Sequence, residues 1–281
     1  MRKLLIIVCA TLLTKGATAQ IDRTVEYDYT LLYDYTLQPS KSDTQRVTEV
    51  MMLQVGKTAS NYISKNQYLN DSTITEMAKE ADATGVMPRG TTRPYEVKVM
   101  YKVFKDLENR KMFFFSRFGL HQVYYPDSLP VLDWTMHDEE INVLGHVCKK
   151  ATTSFAGRNY IAWYATDIPL SDGPYKFSGL PGLILSIYDT EKHHVFTATS
   201  LVAQKRSVEL KKWEGTFITA FNDRNEFKEF TQKMKADPKL MFQQQFIRIP
   251  EDRLEEVGKR LKENFKKNDN SLEVASDLQI Q

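Results

Sequence analysis

The stretch that decides the fold is TVEYDYTLLYDYTL, residues 24–37, in which large apolar and polar side chains alternate. The apolar set comprises Val25, Tyr27, Tyr29 and Leu31, and the polar set between them comprises Glu26, Asp28 and Thr30. Successive side chains of a strand point to opposite faces, so a period of two is typical of a strand with one buried face. The stretch therefore predicts a β-strand that packs one face on a hydrophobic core.

Similar short runs continue through most of the chain. Residues 46–64 predict a hairpin that turns near Gly56 and Lys57, and residues 95–106 and 110–118 predict a second hairpin. Further strands are predicted at residues 121–125, 131–137, 147–155, 159–168, 182–189 and 194–203. Because these strands are short and joined by short connections, antiparallel pairing is favoured over crossover units.

Helical patterns occur in three places. Residues 71–83 are rich in Ala, Glu, Lys and Met, with Asp71 or Ser72 as the cap, and residues 222–236 and 251–267 place apolar side chains at helical spacing. Residues 87–94 are predicted to be a loop. The expected fold is α+β: a large, curved, half-barrel-like antiparallel sheet with helices packed on it and a helical C-terminus.

The N-terminus has the pattern of a secretory signal peptide. Arg2 and Lys3 precede an apolar core, and Ala19 ends a small-x-small site, which predicts residues 1–19 as the signal and Gln20 as the first exported residue. The apolar run is about half of the ~20 residues that a membrane-spanning helix needs. We therefore expect an exported protein, periplasmic or extracellular. Residues 20–267 are predicted to form a single domain, and residues 268–281 a flexible tail.

The charge balance excludes a polyanion as an expected partner. Removal of the signal takes Arg2, Lys3 and Lys15 from the 38 basic residues and leaves 35 against 36 acidic ones, a formal charge of −1. Nucleic-acid-binding proteins cluster basic residues on one face, and no such cluster occurs here. Cys148 is the one cysteine beyond the signal, so an intramolecular disulfide is not expected to stabilise the core.

The segment GPYKFSGLPGLILSIYD, residues 173–189, combines a loop rich in Gly and Pro with a strand. Its loop residues of interest are Gly173, Pro174, Gly179, Leu180, Pro181 and Gly182. A phosphate-binding loop needs a Lys before Ser or Thr, and a dinucleotide fingerprint needs GxGxxG before a helix; neither occurs. We interpret the loop as a structural turn, after which Leu183, Leu185 and Ile187 face one side and Ile184 and Ser186 the other.

The motif GLPGLI at residues 179–184, together with CKKATTSFAGRNYIAWYATDIPLSDGP upstream, resembles the GLPGLI family of secreted Bacteroidetes proteins. That family implies no established reaction. A more distant analogy is to LolA/LolB-type carriers, in which a curved antiparallel sheet encloses an apolar cavity. These resemblances imply an envelope protein that binds an apolar ligand or an envelope partner.

Cys148 and the histidines are the remaining candidates for chemistry. His146 and Cys148 share one face of a predicted strand, and with His193 or His194 they offer imidazole and thiolate ligands for copper or zinc. His193 and His194 are adjacent in a strand and point to opposite faces, so only one joins a given site. Alternatively, Cys148 has only a structural role and is buried in the core as a small hydrophobic residue.

The leading hypothesis for function is thus a non-enzymatic binding or carrier protein for an apolar ligand or an envelope partner. A metal-binding protein built on His146, Cys148 and one of His193 or His194 is the alternative, and an enzyme that depends on Cys148 is a second one. We predict no catalytic residue and no cofactor, because neither GxSxG nor HExxH occurs in the sequence.

Overall fold

The computed structural model describes residues 23–86, 93–118, 121–210, 218–240 and 250–273. The predicted signal peptide with its cleavage site, most of the predicted loop at residues 87–94, and residues 274–281 of the predicted tail lie outside these ranges. Within the described ranges the chain forms twelve strands in one sheet and three helices.

The strands are β1 (Arg23–Leu37), β2 (Val47–Val55), β3 (Ala59–Ser64), β4 (Lys102–Asp106), β5 (Lys111–Phe118), β6 (His121–Ser128), β7 (Thr135–Val143), β8 (His146–Phe155), β9 (Arg158–Ala165), β10 (Leu183–Asp189), β11 (His194–Leu210) and β12 (Ile218–Ala220). The helices are α1 (Lys65–Thr84), α2 (Arg224–Ala236) and α3 (Glu251–Lys267). None of these described helices is long and apolar enough to cross a membrane.

The sheet order is β12-β6-β5-β4-β3-β2-β1-β11-β10-β9-β8-β7. Neighbouring strands pair antiparallel, apart from the short β12, which pairs parallel to β6. The prediction of an α+β protein with one large antiparallel sheet is confirmed. β1 lies in the middle of the order. Of its apolar positions, Val25, Tyr27 and Leu31 are buried as the alternation predicted, and Tyr29 is partly buried.

Side-chain contacts across the sheet show that it curves. Tyr62 on β3 and Phe196 on β11 are three strand spacings apart, which is about 14 Å in a flat sheet. Their ring centroids are 6.4 Å apart, so the strands wrap around the core. The Tyr33 hydroxyl of β1 likewise donates to the Ile184 carbonyl of β10 at 2.6 Å.

Several predicted boundaries were wrong, and three elements begin four or more residues away from the predicted start. α1 begins at Lys65, before the predicted cap at Asp71 or Ser72, because the Ser64 side chain accepts the Gln67 backbone N–H and caps the helix. β4 begins at Lys102 and not at residue 95 as predicted, because the backbone of Tyr95 bonds to the Asn70 side chain of α1 and not to a strand. β7 begins at Thr135, four residues later than predicted.

The loop at residues 173–182, which we call the motif loop, packs inside the curve of the sheet. Tyr175, Phe177 and Leu180 are buried in the main core, and Gly179 has φ +100°. The strand that follows does not alternate as predicted. β10 is buried on both faces, and its register against β9 shifts between Ile184 and Ser186.

The structure also differs from the predicted flexible tail. Residues 268–273, which we call the C-terminal strap, include Asn270, Ser271, Leu272 and Glu273, all buried. The Arg158 guanidinium donates to the Ser271 carbonyl at 3.0 and 2.8 Å. Hydrogen bonds to distant parts of the chain therefore fix the C-terminal strap against the core, although its sequence alone predicted a flexible tail.

Candidate functional site

A pocket with charged, aromatic and apolar walls lies between α1 and the sheet, and we call it the α1 pocket. It has a volume of about 110 Å³. Its charged lining residues are Asp71, Arg93, Lys102 and Arg117; the others are Ile63, Gln67, Met100, Phe115, Ser116, Gln122, Val123, Tyr124 and Ile218. The walls thus combine three cations, one carboxylate, two aromatic rings and several apolar side chains.

Strand pairing places this pocket on the face of the sheet opposite to the main core. Lys102 pairs with Phe115, and Phe115 pairs with Tyr124, so these side chains form one row across β4, β5 and β6. The neighbouring residues Val103 and Phe114 belong to the core. Because successive side chains alternate between faces, the row of Lys102 lies on the other side.

The row brings a cation against aromatic rings. Lys102 Nζ is 4.7 Å from the centroid of the Phe115 ring, and the Phe115 and Tyr124 rings stack with centroids 5.4 Å apart. Burial lowers the pKa of Lys102, and the charge of Asp71 opposes that shift. Burial and the nearby charge of Arg93 lower the pKa of Arg117. Positive charge is therefore concentrated in a partly apolar site.

Hydrogen bonds to the segment between α1 and β4 fix α1 above the sheet. The Asn70 amide donates to the Tyr95 carbonyl at 2.8 Å and accepts the Tyr95 N–H at 3.1 Å. Asn66 donates to the Glu96 carbonyl at 2.7 Å. Gln67 Nε2 donates to Oδ1 of Asp71, which lies one helical turn further along α1, at 2.6 Å and orients that carboxylate in the pocket wall. The helix thus presents a positioned acid to the cations of the strands.

Of the residues that line this pocket, the sequence pattern drew attention to Asp71 alone, and only as a helix cap. The alternation of Lys102 with apolar neighbours was visible, but its meaning depends on which residues the adjacent strands bring beside it. That register is set by long-range pairing, and α1 covers the row only because the helix begins earlier than predicted.

Of the residues that the sequence singled out, His146 and Cys148 do lie near each other on β8. His146 Nδ1 bonds to Asp167 Oδ2 at 2.7 Å, and the Cys148 thiol makes a long contact of 3.7 Å to the His146 carbonyl. Cys148 is fully buried. Burial, with the charge of Asp167, raises the pKa of Cys148 to about 11, which disfavours the thiolate that catalysis or metal binding needs.

His194 is not brought to that pair, because β9 and β10 lie between β8 and β11. Its Nδ1 bonds to the Tyr35 hydroxyl at 2.8 Å and its Nε2 to the Asn270 carbonyl at 3.0 Å. Burial and the charge of Arg158 lower the pKa of His194 to about 3. Both ring nitrogens of this neutral histidine are thus committed to hydrogen bonds, away from His146 and Cys148.

His193 lies in a different group. It clusters with Asp189 and Glu191, with ligand atoms within 4.8 Å of one another. Arg158 is already among them: its Nη1 is 3.0 Å from Asp189 Oδ2 and 3.4 Å from His193 Nδ1. The guanidinium neutralises the acids where a metal ion would have to sit, so the cluster is an ion-pair network.

The motif loop contributes charges to the core. Its neighbour Asp172 forms a fully buried ion pair with Lys105, and Lys176 Nζ is 2.5 Å from Glu273 Oε1 of the C-terminal strap. Gly182 lies so close to β9 that an added Cβ would be 2.2 Å from the Ala165 carbonyl oxygen. These contacts are those of a packed segment, and they leave no room for a phosphate at this loop.

Comparison with known proteins gives a short family match. Residues 156–186 match a family model described as a protein of unknown function (Porph_ging). The segment includes the motif loop and ends within β10, but the resemblance to the GLPGLI family itself is not confirmed. No curated protein matches the chain.

The solved structures with similar folds include PNGF-II in two crystal forms, C2 and P21. They have TM-scores of 0.49 and 0.47 and sequence identities of 16% and 17%, and they cover 75% and 77% of this chain. The matched region is 34% of the PNGF-II chain in both cases, so this chain spans about a third of that length. Neither likeness carries an inference about activity.

Proposed function

We propose that the protein is a non-enzymatic binding protein whose α1 pocket takes a small organic anion with an apolar or aromatic body. The observation that carries this proposal is the row of Lys102 against Phe115 and Tyr124, with Arg93 and Arg117 beside it. A charged ligand group gains most from cations that are partly removed from water, and an aromatic body gains from the stacked rings.

The same geometry argues for a small ligand and against a bulky lipid. The pocket volume of about 110 Å³ is close to that of cavities that hold a single benzene-sized molecule, which are about 150 Å³. In a LolA/LolB-type carrier the ligand would occupy the inside of the curved sheet. Here Tyr175, Phe177 and Leu180 of the motif loop fill that space, so we move the proposed site to the opposite face.

The cell envelope is the proposed location. The signal-peptide pattern of residues 1–19 supports export. Mass spectrometry of the protein secreted by its own cells should find Gln20 at the N-terminus; an intact segment 1–19 would refute the export proposal.

The binding proposal is tested with benzenesulfonate, which stays anionic across the working pH range, and with the neutral isostere benzenesulfonamide. By isothermal titration calorimetry we expect the sulfonate to bind at least about tenfold more tightly than the sulfonamide, because a favourable ionic contact contributes about 1–2 kcal/mol. Lys102→Met, which keeps the length of the side chain and removes its charge, should weaken sulfonate binding by a similar factor.

The matched control is Lys149→Met, an exposed lysine on β8 outside the pocket. It should bind benzenesulfonate like the unaltered protein. Equal affinity for the two probes, or an equal loss in both lysine variants, would refute a specific anion site in the α1 pocket.

A further inference from the structure

We infer that Asp71 is an intramolecular competitor for the cations of the α1 pocket, so that its protonation strengthens anion binding there. This inference rests on the proposed function and assigns a specificity-determining residue to the same site. In effect, Asp71 would make the pocket a binder whose affinity for an anion rises as the surroundings become acidic.

The position of Asp71 supports this role. It is the carboxylate among the described lining residues and shares the pocket wall with Arg93, Lys102 and Arg117. The charges of Lys102 and Arg93 act on it directly. Asp71 is exposed, and Gln67 Nε2 donates to its Oδ1 at 2.6 Å, which favours the rotamer that keeps the carboxylate at the pocket wall. A ligand anion and the Asp71 carboxylate would therefore interact with the same positive charges. Because the two are both negative, they repel each other within the pocket, and the charged form of Asp71 weakens anion binding.

The direction of the pH effect follows from the groups that line the pocket together with Asp71. Arg93 of the loop, Lys102 of β4 and Arg117 of β5 carry charge, while Gln67, Gln122 and Tyr124 from α1 and β6 are neutral in acid. Asp71 is thus the lining group that titrates in the acidic range, and burial raises its pKa above the ordinary value. Protonation removes one negative charge from the pocket, so the affinity for an anion rises as the pH falls.

The test compares the unaltered protein with Asp71→Asn, which keeps the oxygen that accepts from Gln67 and removes the charge. At pH 7 we expect the variant to bind benzenesulfonate about three- to tenfold more tightly. Between pH 7 and pH 4 the affinity of the unaltered protein should rise toward that of the variant, and the variant should change little. Glu80→Gln, an exposed acid on the same helix, should retain the pH profile of the unaltered protein.

The outcomes separate the two claims. If benzenesulfonate binds but Asp71→Asn has the affinity and pH profile of the unaltered protein, the role of Asp71 is refuted and the binding proposal stands. If none of the three proteins binds the probe at any pH, the α1 pocket is not an anion site, and both claims are refuted. Circular dichroism of each protein at pH 4 and pH 7 verifies that folded protein is compared.

Discussion

At the scale of single residues, burial decides which side chains retain chemistry. Cys148 and His194 are the residue types of metal and nucleophile sites, yet the first is fully buried and the second has both nitrogens hydrogen-bonded. Lys102 keeps its cation at a pocket wall. The thiol of Cys148 and the imidazole of His194 are therefore not available to a ligand, whereas the ammonium group of Lys102 is.

The thiol gives the first prediction. Because burial holds the Cys148 pKa at about 11 and excludes reagents, the native protein should react with Ellman's reagent at pH 8 far more slowly than the same protein in 8 M urea. A rate within about tenfold of the unfolded rate would mean an accessible thiolate and would reopen a role for Cys148 in metal binding or catalysis.

Gly182 gives the second prediction. Its substitution by Ala places a Cβ 2.2 Å from the Ala165 carbonyl oxygen, so the strand must shift, and we expect the free energy of unfolding to fall by about 1–3 kcal/mol. Urea denaturation measures this change.

The matched control for Gly182 is Gly258→Ala in α3, where the nearest atom to the new Cβ is Lys239 Cγ at 3.4 Å. Alanine has a higher helix propensity than glycine, so the free energy of unfolding of this variant should stay the same or rise by up to about 1 kcal/mol. If both glycine variants are equally stable, the close approach of the motif loop to β9 does not matter for stability.

At the scale of elements, the C-terminal strap shows how a short segment can join distant parts of the fold. Glu273 accepts from the Tyr175 hydroxyl at 2.6 Å and from Lys176 at 2.5 Å, and it also pairs with Arg224 of α2. The strap therefore ties the motif loop to α2. Buried charges of this kind cost much free energy when one partner is removed.

The strap gives the third prediction. Burial alone would raise the pKa of Glu273, but the charges of Lys176 and Arg224 outweigh it and hold the pKa at about 2, below the usual 4.5. Glu273→Gln should therefore lower the free energy of unfolding by about 3 kcal/mol at pH 7. Because the native pKa lies below the unfolded one, the charged Glu273 carboxylate stabilises the fold fully above about pH 4.5, and this contribution is lost as the pH falls to about 2. The difference in the free energy of unfolding between the two proteins should therefore shrink over this range.

The exposed acid Glu255, which pairs with Lys239 at 2.7 Å, provides the control: Glu255→Gln should change stability little at any pH. A stability difference for Glu273→Gln that does not depend on pH in this range would show that its carboxylate is not charged in the native state.

The elements differ in how far the sequence predicts them. The alternation in β1 and the helical spacing in α2 and α3 depend on local periodicity, and the predictions there were confirmed. The start of α1 was missed because Ser64 also ends a strand, so its capping role is not evident from the sequence. The strap was missed for a different reason: its partners Arg158, Tyr175, Lys176 and Arg224 are 49 to 113 positions away along the chain.

The candidate site was the least predictable part. Lys102, Phe115 and Tyr124 come from three strands, and their row exists only in the register that the sheet adopts. By contrast, the metal hypothesis combined residues by chemical type, and the sheet order separates His194 from His146 and Cys148. Residue type suggested chemistry, but strand order decided which residues meet.

At the scale of the whole molecule, β1 joins the two halves of the sheet. It pairs with β2 along Tyr29–Leu37 and with β11 along nearly its full length. The prediction of a single domain over residues 20–267 then implies one cooperative transition. Far-ultraviolet circular dichroism and tryptophan fluorescence should give coincident urea curves, whereas two separated transitions would show that the halves fold independently.

The central claim is that the ligand site lies on the α1 face of the sheet and not inside its curve. The most direct test is a crystal of the protein soaked with 4-bromobenzenesulfonate, in which the anomalous signal of bromine locates the ligand. The account predicts a bromine peak beside the rings of Phe115 and Tyr124, with the sulfonate next to Lys102. A peak inside the curve of the sheet, among the side chains of the motif loop, would contradict it.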